Sequence, residues 1–100
     1  KKLYDKWTLE EVGKLVVEAF NSHLGTRFKD SKSFLKGLER WLESYTPQEI
    51  EQAIKQVKFD KFWNGKMTPV LLFRQKNPQG ESVDYIGGLL NNKEKYDDRR

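Results

Sequence analysis

Side chains able to do covalent or acid–base chemistry are few in this sequence, and they are scattered. Gly65-Lys66-Met67-Thr68 comes nearest to a reactive motif, since a glycine followed by lysine and a hydroxyl residue closes a phosphate-cradling loop. Such a loop needs a first glycine five positions earlier, a Ser or Thr directly after the lysine to hold magnesium, and a strand in front. Asp60 stands where the first glycine belongs, Met67 stands where the hydroxyl belongs, and no strand pattern precedes them. Nucleotide binding by this stretch is not expected. The single histidine, His23, sits at the end of a helical pattern, where a cation relieves unpaired carbonyls; no second imidazole or thiolate can join it on a metal. The acidic pairs Glu10-Glu11 and Glu49/Glu51 fall at helix starts and Asp97-Asp98 in a charged tail, rather than in a cleft of mixed environments. Ser31, Ser33, Ser44 and Ser82 lack the GxSxG context of an activated nucleophile. There is no cysteine, which excludes disulfides and thiolate zinc sites and fits a cytoplasmic location. The expectation is a protein with no catalytic residues, no metal and no cofactor, and not an enzyme.

Binding chemistry is better represented. The chain of 100 residues carries a net charge of +4, and the distribution of that charge says more than its size. Up to Thr26 the cations Lys1, Lys2, Lys6 and Lys14 are balanced by Asp5, Glu10, Glu11 and Glu18. Between Lys55 and Lys76, however, Lys55, Lys58, Lys61, Lys66, Arg74 and Lys76 face Asp60 alone. This bias marks a surface for DNA or for an acidic protein, with a merely solvated lysine-rich surface as the competing reading. Trp41, Tyr45, Phe62, Trp63 and Phe73 can stack bases if exposed beside those cations. Helical spacing assigns Trp41 and Tyr45 to the core. Phe62 and Trp63 are adjacent, so on a helix they point roughly 100° apart and one of them is left for a contact. The candidate contact set is Lys55, Lys58, Lys61, Trp63, Lys66, Arg74 and Lys76.

The elements that hold this segment are helical. Thr8 and Glu11 form a capping box ahead of Leu9, Val12, Leu15, Val16, Ala19 and Phe20, and Gly25 stops the pattern. A second helix is expected from Ser31 to Tyr45 on Phe34, Leu35, Leu38, Trp41, Leu42 and Tyr45. Thr46-Pro47-Gln48-Glu49 caps a third, with Ile50, Ala53, Ile54 and Val57 inward and Phe59, Phe62 and Trp63 continuing at helical spacing towards Asn64-Gly65. Thr68-Pro69 repeats the cap signal, so Val70 to Phe73 read as a short helical turn driven into the core; a buried strand is the competing reading of that run. Asn77-Pro78-Gln79-Gly80 is a turn, and Ser82 caps a last helix bearing Val83, Ile86, Leu89 and Leu90 despite Gly87-Gly88. Those glycines either rely on packing or admit another backbone. Residues 93–100 form a charged tail expected to be disordered. No apolar run approaches the ~18 residues of a membrane span, and the start at Lys1 without methionine is the expectation for part of a longer polypeptide. The expected fold is all-α: a single-domain bundle of four to five helices over 1–92, with the short turn near 69–74.

In order, FNSHLGTRFK, YTPQEIEQAI, FDKFW, TPVLLFR and VDYIGGLLNN resemble the C-terminal domain of phage replisome-organiser and DnaD-like replication proteins. Phe20-Asn21, Gly25 and Phe28 fall on one element of that domain. Ile54, Lys58 and Trp63 approximate a second, and Pro69, Leu72, Phe73, Tyr85, Leu90 and Asn91 a third. Between Phe73 and Tyr85 the chain carries a longer loop, and the closing element reads YIGGLLN rather than YLN. The resemblance implies a replication accessory module in the host bacterial cytoplasm. Such a module binds DNA, single-stranded or without sequence preference, recruits the host helicase loader, or does both. The alternative is a protein–protein module that inhibits or redirects a host replication factor without touching DNA.

Overall fold

The computed structural model describes residues 7–29 and 32–98, with side chains up to residue 91. The expected start at Ser31 falls outside the described residues; of the expected tail, residues 93–98 are described in backbone alone, as helix, and residues 99–100 are not described. Five α-helices are present among the described residues: α1 Leu9–Leu24, α2 Leu35–Trp41, α3 Pro47–Gln56, α4 Pro69–Leu72 and α5 Tyr85–Asp98. The fold is all-α, with an isolated Lys76–Ser82 bridge as its only extended pairing among those residues. No helix there is long and apolar enough to cross a membrane.

α1 and α3 begin with the same device. The Thr8 hydroxyl accepts from the Glu11 amide at 3.1 Å while the Glu11 carboxylate accepts from the Thr8 amide at 2.9 Å, and Thr46 and Glu49 repeat both bonds at the same lengths. Two amides that the helix leaves unpaired are satisfied at each start, worth about 1 kcal/mol per cap. α3 packs on both α1 and α5. Its Ile50, Ala53 and Ile54 are fully buried against Val12, Val16 and Phe20 of α1 and Ile86 and Leu89 of α5. This three-helix core is the platform on which the connecting segments rest.

α2 is shorter than its apolar pattern. Lys32–Phe34 form a tight 3-10 turn, and after Trp41 the chain unwinds through short-range bonds from the Glu43 amide to Arg40 and from the Ser44 amide to Trp41. Thr46, preceding Pro47, must be extended, and it is, at φ −78° and ψ 162°. The helix has to end in time to reach that conformation. α2 docks on the end of α4 by close backbone approach. A Cβ at Gly37 would lie 2.7 Å from the Phe73 carbonyl oxygen, which also accepts from the Trp41 indole at 3.1 Å, and the rings of Phe34 and Phe73 stack at 5.5 Å. It is Gly37, not the Gly87-Gly88 pair, that lets a backbone approach closely.

Two further expectations are corrected. The run after Pro69 is helical, and Leu72 and Phe73 are buried, but Val70 is 49% exposed: with four residues in the helix, its first turn faces solvent. The cap of α5 is Asp84 rather than Ser82. The Asp84 carboxylate accepts from the Gly87 amide at 2.8 Å, while Ser82 is held in the bridge to Lys76. Gly87 still has a reason: a Cβ there would meet the Tyr45 hydroxyl at 2.7 Å, and that hydroxyl donates to Asp84 at 2.6 Å. The cap of α5 is thus tied to the segment leaving α2.

Candidate nucleic-acid interface

Between α3 and α4 the chain does not continue as helix. After Gln56 it tightens into a 3-10 turn, Val57–Phe59, and Asp60 takes extended angles. The Asp60 carboxylate then accepts from the amides of Phe62 and Trp63, both at 2.9 Å, as a cap does, and starts a new turn. That turn closes with the Lys66 and Met67 amides on the Trp63 carbonyl and with Gly65 at φ 83°, a left-handed conformation glycine adopts without strain. The segment's lone carboxylate is thereby engaged with its own backbone, and the lysines around it face outward.

The aromatics divide by depth. Trp63 is half-buried and packs on the core, its ring meeting Tyr85 of α5 edge to face at 5.0 Å and Phe62 at 4.7 Å. Trp63, the aromatic chosen from the sequence as a contact, is chiefly the post that fixes this segment to the bundle. Phe59 and Phe62, at 53% and 60% exposure, are the rings left in solvent. Each has a cation over it: the Lys58 ammonium lies 5.4 Å from the Phe59 centroid, and that of Lys66 lies 4.7 Å from Phe62. Both distances fall in the range of cation–π attraction. The pattern holds two exposed apolar faces and two charges together on one short segment.

Beside it is a cleft of about 370 Å³. One wall is the end of α1 and its following loop. There the Asn21 side chain donates to the Phe28 carbonyl and accepts from the Phe28 amide, both at 2.9 Å, and accepts from the Thr26 hydroxyl at 2.8 Å. Phe28 packs edge-on against Phe20 at 5.6 Å, and Gly25 turns the chain at φ 71°. Phe20, Asn21, Gly25 and Phe28 therefore form one clamp, which holds Thr26 and Phe28 on the cleft. The other wall carries Lys58, Asn64 and Lys66, with Leu24, Val57 and Met67 beneath. His23 is at its edge, its Nε2 3.2 Å from a Glu51 carboxylate oxygen, so it ties α1 to α3 rather than simply relieving a helix end.

The structure brings Lys58 and Lys66 to one cleft and puts Lys61 and Trp63 on the same turn, with Lys55 exposed on the last turn of α3. It does not place Arg74 and Lys76 on that cleft. Arg74 is half-buried after α4, and exposed Lys76 lies in the bridged loop beyond. Phe59 and Phe62 were open to sequence reasoning as the aromatics left over once Trp63 goes inward. Thr26 and Asn64 carried no signal, because their nearness depends on the Asn21 clamp. Among the described residues no group of three or more His, Asp or Glu side chains is placed to hold a metal. No protein-family model matches the chain, and neither a curated protein nor a solved structure is significantly similar to it.

Proposed function

We propose that this domain is a non-enzymatic accessory module of phage DNA replication, of the replisome-organiser kind, acting in the host cytoplasm, and that residues 57–66 hold single-stranded DNA. The observation that carries the DNA contact is the pairing of exposed Phe59 and Phe62 with Lys58 and Lys66. Unpaired bases stack on such rings at about 1–3 kcal/mol each, whatever the base, while the ammonium groups neutralise neighbouring phosphates. Lys58, Lys61 and Lys66 lie on turns rather than along one α-helix, so sequence preference is not part of the proposal. The replication context rests on the sequence resemblance alone.

A second reading is favoured by Val70, which adds an exposed apolar side chain to Phe59 and Phe62. In it these residues and Arg74 anchor a protein partner, either the host helicase loader or a replication factor that is inhibited or redirected. Fluorescence anisotropy with labelled single-stranded and duplex oligonucleotides at two salt concentrations, alongside a pull-down with helicase loader, separates the two. The DNA reading expects salt-sensitive binding that favours the single strand. Capture of the loader with no DNA affinity at low salt selects the second reading, and the absence of both removes this function.

A further inference from the structure

We infer that the cleft between the Asn21 clamp and the 57–68 segment is a pocket for one unstacked nucleotide of a single strand, an inference that rests on the DNA reading above. Three observations carry it. The cavity of about 370 Å³ lies near the lower end of the roughly 300–1,000 Å³ typical of small-molecule sites, so it suits a single nucleotide better than a segment of peptide or duplex. Its lining is divided as a nucleotide is divided. Leu24, Phe28, Val57 and Met67 offer an apolar floor for a base, Thr26 and Asn64 offer hydrogen-bonding groups for its edge, and Lys58 and Lys66 offer charge for a phosphate. Among the described residues no carboxylate lines it, although Glu51 meets His23 at its edge.

Lys58 and Lys66 serve both the cleft and the exposed rings, since both residues line the cavity and their ammonium groups lie over Phe59 and Phe62. A strand whose bases stack on those rings passes its backbone along these two lysines, and the next base has the cleft beside it. The Asn21 clamp keeps the far wall in place before any ligand arrives, so little ordering opposes entry.

The test uses the 100-residue chain labelled with nitrogen-15 and three probes: a short oligothymidylate, thymidine monophosphate and inorganic phosphate. The oligonucleotide is expected to shift the amides of Thr26, Asn64 and Gly65 as well as those of residues 58–62. Thymidine monophosphate is expected to shift the first group saturably, and phosphate to shift it much less. Asn64→Asp, a near-isosteric change at an exposed position, introduces a carboxylate into the cleft and should weaken oligonucleotide binding about fivefold or more at low salt. Gln48→Glu makes the same change of charge at the opposite end of α3 and should alter it less than about twofold. Oligonucleotide shifts confined to residues 58–62, or equal effects of the two substitutions, overturn the pocket and leave the DNA reading standing. No oligonucleotide binding at all overturns both.

Discussion

Two connections in this domain are alike in length and opposite in their use of polar side chains. Residues 74–84, between α4 and α5, use Gln75, Asn77, Glu81 and Asp84 to bind the fold itself. Asn77 accepts from the Gln79 and Glu81 amides and donates to Glu81, Gln75 accepts from Arg40, and Asp84 accepts from Tyr45 and from the Gly87 amide. Residues 57–68, between α3 and α4, use Asp60 and Thr68 for their own turns and anchor themselves through Trp63. Lys58, Phe59, Lys61, Phe62 and Lys66 are left to solvent. Basic residues occur in both, but only the second connection keeps charge and apolar surface together and uncommitted. Charge in a sequence therefore marks uncommitted surface less well than the inventory of what each polar group is already doing.

The contrast can be broken most forcefully at the post. Trp63→Ala removes the ring between Phe62 and Tyr85 and should cost about 2–3 kcal/mol in urea unfolding, less than a fully buried tryptophan because this one is half-buried. Asn77→Ala, in the other connection, should cost only about 1 kcal/mol, since its bonds are exposed to water. Replacing Lys58 and Lys66 together with Glu should lower single-strand affinity by at least about tenfold at low salt with little change in stability. The same reversal at Arg74 and Lys76 should have a clearly smaller effect, and equal losses would return the site to the whole basic segment.

Neighbouring glycines sharpen the comparison with smaller effects of opposite sign. At Gly88 nothing lies within 4 Å of a new Cβ, so Gly88→Ala should stabilise α5 by about 0.5–1 kcal/mol. Gly87→Ala gains the same propensity but forces apart Tyr45 and Asp84, and should come out destabilised by about 1 kcal/mol. Thermal unfolding of the two variants tests that difference. The smallest effect is a pH dependence. Burial disfavours the Tyr45 phenolate, and the hydrogen bond and charge of Asp84, followed by the charge of Glu49, add to this, so its pKa is pushed up to about 12 from 10.0. The unfolded chain gives up this proton first, so the tyrosine's contribution is whole below pH 10 and is lost as pH rises from 10 to 12. Wild type should lose stability more steeply than Tyr45→Phe across that interval, as read from urea midpoints.

Much of this fold was legible in the sequence because it is specified locally. The boxes at Thr8 and Thr46, the stop at Gly25, the proline starts at 47 and 69 and the Asn77–Gly80 turn each depend on residues three or four apart. Errors arose where distant groups decide. Asp84 displaces Ser82 as the cap because Tyr45 and Gly87 complete its surroundings, α2 shortens to meet the geometry before Pro47, and Val70 faces out because α4 has only one turn. The candidate site was half legible. Its lysines, and the need to leave one of Phe62 and Trp63 outside, could be read from spacing, but not which of the two, and Trp63 was the wrong one; the cleft joins residues 23–28 to residues 57–68 and no local pattern reports that.

The central claim is that the exposed rings beside the lysines form the contact with single-stranded DNA. It is tested most directly by anisotropy of a labelled oligothymidylate titrated at low salt with wild type and with the double variant Phe59→Ala, Phe62→Ala. Both rings are more than half exposed, so the fold should survive, as circular dichroism will report. The predicted result is a salt-sensitive wild-type complex and a loss of affinity of at least about fivefold in the variant. Equal affinities, or no complex with the wild type, would contradict it.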